Sequence, residues 1–352
     1  AFPTKRTPWP ETVHGHWMDS DYEPGLVSVI IPTYNREELV IEALDSVQDQ
    51  TYRPIELIVV DDGSSDNTVN VLKKWKTEHE SSDLDVHIIE QENSGAPRAR
   101  NQGLVESSGE YIQFLDSDDL LHPNKVGSQI EALKKASHGT VAVSDTFFFD
   151  AHEDWEYTHK ASSPQNCSGA PPLQWLIELW HPRGKLSLIG VHAWLTPREI
   201  VGKSGPWKNV ARDQDGEYFT RVVANSKKVE YVNCGGAYYR KTREHKSITS
   251  SYTRSAIRGW IRAIDGKRDT VLSSPVGKKK IREVLSFQYM RVAVRAYPDY
   301  KDLSSVATLR AEDLGSTNVH DFTGTVMGQL FHRVCGWRAT RYIQSIVNRL
   351  RA

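Results

Sequence analysis

The chain has 352 residues, 38% of them hydrophobic and 25% charged, an ordinary composition for a globular protein and too long for one small domain. Its formal net charge of −1 excludes a global pull toward nucleic acid, although Lys and Arg crowd residues 240–295 and 333–351 while acidic clusters mark the first half. Cys167, Cys234 and Cys335 stand far apart and never as C-x-x-C, which argues against a disulfide scaffold or thiolate zinc site and suits a reducing, cytoplasmic setting.

Residues 1–25, rich in Pro, Trp and His without periodicity, read as a surface arm. Residues 26–31 form a short β-branched run ended by Pro32, the pattern of a buried strand. Residues 37–50 then put Leu39, Ala43, Leu44 and Val47 on one helical face. A second buried strand is predicted over 55–60, followed by a helix capped by Asp66 that buries Val69, Leu72 and Trp75. Strands over 86–89 and 111–115 flank a helix whose first turn takes Pro97, and Pro123 opens another helix before a last short strand at 141–143. Beyond residue 146 the rhythm breaks into short mixed segments, and beyond 251 it becomes helical.

Strands alternating with helices predict a parallel sheet covered on both faces, and such sheets bind ligands at the carboxyl ends of their strands. The polar clusters fall at those ends: Pro32 to Asn35, Asp61 to Ser64, and Asp116-Ser117-Asp118-Asp119. Carboxylates two apart can share a divalent cation whose other ligands are water and phosphate oxygens, so Mn²⁺ or Mg²⁺ fits. The bland alternative makes Asp118 or Asp119 a helix cap. Asp61 and Asp62 belong either to a turn or to a nucleotide contact, with Asp62 the better candidate.

Four segments together, residues 27–35 (Val-Ser-Val-Ile-Ile-Pro-Thr-Tyr-Asn), 59–64 (Val-Val-Asp-Asp-Gly-Ser), 93–103 (Asn-Ser-Gly-Ala-Pro-Arg-Ala-Arg-Asn-Gln-Gly) and 111–119 (Tyr-Ile-Gln-Phe-Leu-Asp-Ser-Asp-Asp), resemble family 2 glycosyltransferases. The resemblance implies a GT-A fold: α/β, a Rossmann-like, doubly wound, mostly parallel sheet, here with a helical C-terminal appendage. It implies a nucleotide-diphosphate sugar donor, UDP-sugar first. Pro32, Tyr34 and Arg36 would line the nucleoside pocket, Asp62 would bond the base edge, Arg100 would help hold the nucleotide, Asp116 would face the ribose or the metal's surroundings, and Asp118 would bind Mn²⁺ or Mg²⁺. Transfer would invert the anomeric carbon, with a general base and no covalent nucleophile.

Residues 212–221 (Arg-Asp-Gln-Asp-Gly-Glu-Tyr-Phe-Thr-Arg) resemble the family's catalytic segment, with Gln214 where Glu is usual. Asp215 falls on the base position and Arg221 on the closing arginine. Asp213 and Glu217 are rivals, but Asp215 and Glu217 cannot share a helical face. Residues 238–249 resemble the family's closing basic loop, in which Arg243 would grip the diphosphate and His245 would join the metal. Trp175, Trp180 and Trp194 read as core, whereas Trp207, in a Gly-Pro-Trp loop, is the expected exposed acceptor contact.

The chain thus divides into the arm (1–25), a nucleotide-sugar half (26–145), an acceptor and base half (146–250) and a basic helical region (251–352). The last element lines up Ala339, Tyr342, Ile343, Ile346, Val347 and Leu350 on one face with Arg338, Arg341, Arg349 and Arg351 largely elsewhere. That pattern suits packing on its own domain first, and a dimer contact or peripheral attachment to an anionic cytoplasmic membrane face second. The expected activity is glycosyl transfer, hexosyl or N-acetylhexosaminyl, to a saccharide or glycolipid hydroxyl in polysaccharide or glycoconjugate synthesis. The alternatives are a sugar-nucleotide nucleotidyltransferase, whose Gly-rich triphosphate loop is missing from residues 32–40, and an inactive nucleotide-binding scaffold.

Overall fold

The structure is a computed structural model and describes residues 22–150, 159–162, 168–181, 189–233, 235–241, 252–273, 278–315 and 326–351. Residues 1–21 of the expected arm, Cys167, Cys234, Arg243 and His245 lie outside the described residues, while the arm's expected end, Glu23 to Gly25, is instead the start of the first strand. The chain divides into two compact units, the first comprising residues 1–172, 185–209 and 221–243 and the second residues 173–184, 210–220 and 244–352.

The first unit is built on a seven-stranded sheet. Its strands are β1 (Glu23–Thr33), β2 (Ile55–Asp61), β3 (Leu84–Glu90), β4 (Gly109–Phe114), β6 (Thr140–Val143), β9 (Trp194–Pro197) and β10 (Lys228–Tyr231), in the order β10-β6-β9-β4-β1-β2-β3. β1 pairs in parallel with β2 and β4, β2 with β3, and β6 with β10, while β9 runs antiparallel between β4 and β6. Every residue of β2 is buried, as a central strand covered on both faces requires. Helices α1 (Val40–Gln48), α2 (Thr68–His79), α3 (Ala96–Glu106) and α4 (Lys125–Lys135) complete the predicted alternation. α1 and α4 bury Val40, Ala43, Leu44, Val47, Val126, Ile130 and Leu133, and join Val27, Val29, Ile31, Leu57 and Val59 in one core.

Pro32 lies inside β1, opposite Val60, rather than ending it. Pairing with β4 has already stopped at Ile30 and Phe114, so this stretch of β1 has a partner on one side only, where a missing N–H is tolerated. A smaller sheet joins β5 (Leu120–Leu121), β11 (Ala237–Lys241), β7 (Thr146–Asp150) and β8 (His159–Ser162) in that order. α6 (Arg198–Ser204) follows β9.

The second unit is helical: most of α5 (Pro172–Trp180), the start of α7 (Gln214–Asn225), then α8 (Arg254–Leu272), α9 (Lys278–Ala296), α10 (Lys301–Asp313) and α11 (Val326–Arg351). Thr253 caps α8 by accepting a 3.3 Å bond from the Ala256 amide, and Ile257, Ile261 and Ile264 form its buried stripe. α11 is broken at Gly336, where φ is +79°. Its packed side includes the buried Thr340, Arg341, whose Nε donates to the Val294 carbonyl at 3.2 Å, and Trp337, set edge-on against Tyr297. Tyr342, Ile343, Ile346 and Val347 stay exposed, which corrects the expectation that this row packs on its own domain. Among the described residues no helix is long and apolar enough to cross a membrane.

Candidate donor site and catalytic segment

The carboxyl ends of three parallel strands meet in the first unit, because Thr33 of β1 stands opposite Asp61 of β2 and Ile30 opposite Phe114 of β4. The Asp62 amide donates to the Thr33 carbonyl at 2.8 Å, tying the first two loops together. Asn35, in the left-handed region at φ +50°, links them again: its amide donates to Ser64 Oγ at 2.9 Å and its side-chain oxygen accepts from the Ser65 amide at 2.8 Å.

The two aspartates of the second cluster divide their work. Asp61 accepts from Ser64 N at 2.9 Å and Gly63 N at 3.2 Å, shaping its own turn. Asp62, buried, accepts from Gln91 Nε2 at 2.7 Å, Ser94 N at 2.8 Å and Gly95 N at 2.7 Å. Three of a carboxylate's roughly four acceptor sites therefore hold the loop that leads into α3. Gly63, at φ +78°, lets the strands close here, since a Cβ would stand 2.9 Å from the Asn93 amide nitrogen.

The acidic cluster after β4 is met by arginines from two other elements. Arg100 of α3 is buried, and its Nη2 donates to Asp116 Oδ1 at 2.6 Å. Arg36 Nε lies 3.8 Å from Asp118 Oδ2, with both side chains about one-third exposed. The Asp118 carboxyl is pushed up to about 6, first by lost solvation and then by Asp119 and Asp116, with Arg36 opposing. Asp116 and Asp118 are both about one-third exposed while Asp119 is buried, so a divalent cation could reach the first two, of which Asp116 is already paired with Arg100. Among the described residues no three His, Cys, Asp or Glu side chains converge to cage a metal, so a cation here would complete its shell with water and diphosphate oxygens. The donor set fits Mn²⁺ or Mg²⁺ in that role.

Two supporting residues went unread in the sequence. Asp119 is buried, with Oδ2 standing 2.9 Å from Nδ1 of the fully buried His192 and Oδ1 accepting from the Arg240 amide at 2.9 Å. Burial drives the Asp119 carboxyl upward, and His192 opposes that drive. Arg240 of β11 then clasps the loop, donating from Nε to the Asp118 carbonyl at 2.9 Å and from Nη2 to Glu42 at 2.7 Å. A lone His among apolar residues, and an Arg in a basic run, carry no sequence signal for these roles.

Tyr34 is 46% exposed, whereas Pro32 is buried. Trp207 is 3% exposed, which overturns its expected role as a surface acceptor contact. Asn101 brackets its backbone, donating to the Trp207 carbonyl at 2.9 Å and accepting from its amide at 2.8 Å, and the ring lies 4.5 Å beneath the Arg100 guanidinium. Trp175, Trp180 and Trp194 are buried as expected.

Asp215 lies in the second unit, half-buried in the first turn of α7. Glu217 is 1% exposed, so the two acids do take different faces of the helix. Asp213, at φ +59°, is paired with Lys267 of α8 at 2.5 Å. Arg221 belongs to the first unit, where its guanidinium donates to the Ser204 carbonyl, to Gly205 O at 3.2 Å and to Pro206 O at 2.9 Å, closing the end of α6.

Residues 28–192 match the family model described as glycosyl transferase family 2. Glycosyltransferase GlyA of Streptococcus pneumoniae serotype 4 is 38% identical over 135 residues, 38% of this chain and 18% of that protein. The putative teichuronic acid biosynthesis glycosyltransferase TuaG of Bacillus subtilis is 40% identical over 113 residues, 32% of this chain and 43% of that protein. The matched stretch thus spans less than half the length of either relative. S. aureus TarS 1–349, solved with UDP-GlcNAc, superposes with a TM-score of 0.64 at 18% identity, covering 92% of this chain and 91% of that one. The mannosyltransferase PcManGT of Pyrobaculum calidifontis, solved with GDP-Man and Mn²⁺, superposes with a TM-score of 0.50 at 16% identity, covering 94% and 89%. The strand order, the loops gathered at one end of the sheet and these matches agree: the chain carries a glycosyl transferase family 2 domain of GT-A fold over residues 28–192.

Proposed function

We propose that this chain is a metal-dependent, inverting glycosyltransferase that moves a hexosyl or N-acetylhexosaminyl group from a nucleotide-diphosphate donor, UDP-sugar first, to the hydroxyl of a saccharide or glycolipid acceptor. The observation that carries the reading is the cluster of three strand-end loops, in which Arg100 pairs with Asp116 and Arg36 faces Asp118. UDP and GDP sugars are the bound donors of the TarS and PcManGT structures, the latter with Mn²⁺, and both lend support by fold.

In this reading the exposed Tyr34 stacks on the base, while Asp62 and the Ser94–Gly95 loop it holds form the pocket wall. Asp118 would hold Mn²⁺ or Mg²⁺, which when bound supplies positive charge against the leaving diphosphate. Asp215 takes the proton of the acceptor hydroxyl, so no side chain becomes covalently linked to sugar. The exposed apolar residues Leu330, Val334, Ile343 and Ile346 of α11, alternating with Arg333 and Arg338, favour peripheral contact with an anionic membrane surface, where glycolipid acceptors reside.

A panel of UDP-, GDP- and dTDP-sugars, each with and without Mn²⁺, tests the reading by thermal shift and by release of nucleotide diphosphate. Stabilisation and slow diphosphate release with one sugar nucleotide are expected. Turnover of nucleoside triphosphate with sugar phosphate would instead establish a nucleotidyltransferase, and a flat panel would mark a scaffold.

A further inference from the structure

The charge of this chain is divided along its length. Residues 251–352 contain 18 Lys and Arg against 8 Asp and Glu, although the whole chain sums to −1. Within the second unit, part of that excess is gathered around two aromatic rings. The Arg212 guanidinium lies 4.6 Å from the Tyr252 ring and 4.6 Å from the Trp260 ring. Arg295 covers Tyr252 at 3.5 Å, and Arg291 lies 5.8 Å from Trp260. Arginine and aromatic residues therefore alternate as Arg295, Tyr252, Arg212, Trp260, Arg291.

Arg291 and Arg295 stand one turn apart on α9, and both are exposed. Among the described residues neither forms an ion pair with a carboxylate. The field reaches α11, where burial first and Arg295 second push the half-buried Arg341 guanidinium downward, with Asp299 opposing. Like charges held this close repel, and stacking on the rings returns only part of that cost. An anion bound across them removes the repulsion. Guanidinium forks match the oxygens of phosphate and carboxylate.

We infer that this arginine–aromatic ladder binds an anionic saccharide chain, one carrying phosphodiester or carboxylate groups, as the acceptor. Arg212 precedes Asp215 by three residues, so the ladder and the proposed base belong to one short segment of the same unit. The acceptor role rests on the transferase reading; the anion site does not.

The test uses the full chain and three fluorescent oligomers of equal length: glycerol-phosphate, galacturonate and neutral dextran. Anisotropy is expected to show binding of one or both anionic oligomers, weakening steeply between 50 and 300 mM salt on the order expected for screened surface charge, and no binding of dextran. Arg291→Gln with Arg295→Gln should lower that affinity tenfold or more, and the corresponding Lys pair should fall between. UDP-sugar affinity, set by the first unit, is the control for folding. Equal binding of dextran, or unchanged affinity in the Gln pair, would overturn the inference. So would binding to phosphatidylglycerol vesicles without binding to either oligomer, which would mark a membrane contact. If oligomers bind but no sugar nucleotide does, the anion site stands and its acceptor role, with the transferase reading, falls.

Discussion

Asp213 and Lys267 form an ion pair at 2.5 Å, which ties the start of α7 to α8. Lys267 is nearly buried, so Asp213 is committed to it, and Glu217 is sealed inside the helical unit against Gly266. Asp215 is half-buried in the first turn of the same helix. With Asp215 as the proposed base, Asp215→Asn is expected to bind the donor nearly normally and to lose transfer by ~10²-fold or more, because the base acts only on the acceptor proton. Steady-state transfer beside calorimetric donor binding checks this. Loss of donor binding would recast Asp215 as structural, and a larger loss of transfer from Glu217→Gln would move the base there.

The proposed cation site at Asp118 can be tested directly. Asp118→Ala should leave the fold intact, since the side chain is one-third exposed on a loop, and should abolish the gain in sugar-nucleotide affinity produced by Mn²⁺ or Mg²⁺. The wild-type chain treated with a chelator should match the variant. Calorimetry that shows the same cation-dependent binding in the variant would remove Asp118 from the metal.

His192 should matter far more than a lone core histidine. Replacing it with Phe leaves the buried Asp119 carboxyl without its polar neighbour, which is expected to cost about 1–3 kcal/mol of unfolding free energy. Asp119→Asn added to that variant should recover part of the loss, giving a coupling energy in a urea-denaturation cycle. Independent, additive losses would mean the 2.9 Å approach carries no energy.

Gly103 explains why the segment begun by Asn93 ends in glycine. A Cβ at this position would lie 2.4 Å from Ile30 Cγ2, in the centre of β1. Ala improves helix propensity by ~1 kcal/mol, but overpacking a core costs ~1–3 kcal/mol, so Gly103→Ala should be destabilising on balance. A rise in the urea midpoint would contradict the close approach of α3 to the sheet.

The outward row on α11 gives a vesicle test. Leu330→Gln, Val334→Gln and Ile343→Gln together leave the contacts of Trp337, Thr340 and Arg341 in place while removing exposed apolar surface. Co-sedimentation with anionic vesicles at low salt is expected for the parent chain and should fall in the variant. A parent chain that ignores such vesicles would end the membrane reading.

Much of the nucleotide half was legible because its signals are local. Runs such as residues 55–60 bury every side chain, and the helical stripes of α1 and α4 repeat at the proper spacing, so β1 to β4 and α1 to α4 could be read in order. The later strands β7 to β11 are only four or five residues long, too short for a clear periodic signal, and their identity comes from partners far along the chain: β9 is a strand because it fills the gap between β4 and β6. By itself the sequence determined the strand-end clusters and their candidate residues, since Pro, Gly and Asp at those spacings act through their own backbone. Only tertiary structure decided that Trp207 is core beneath Arg100, that His192 and Arg240 clasp the acidic loop, and that Asp213 is spent on Lys267. Each of those outcomes depends on which distant side chain shares the low-dielectric interior with the group, a property of packing rather than of local spacing.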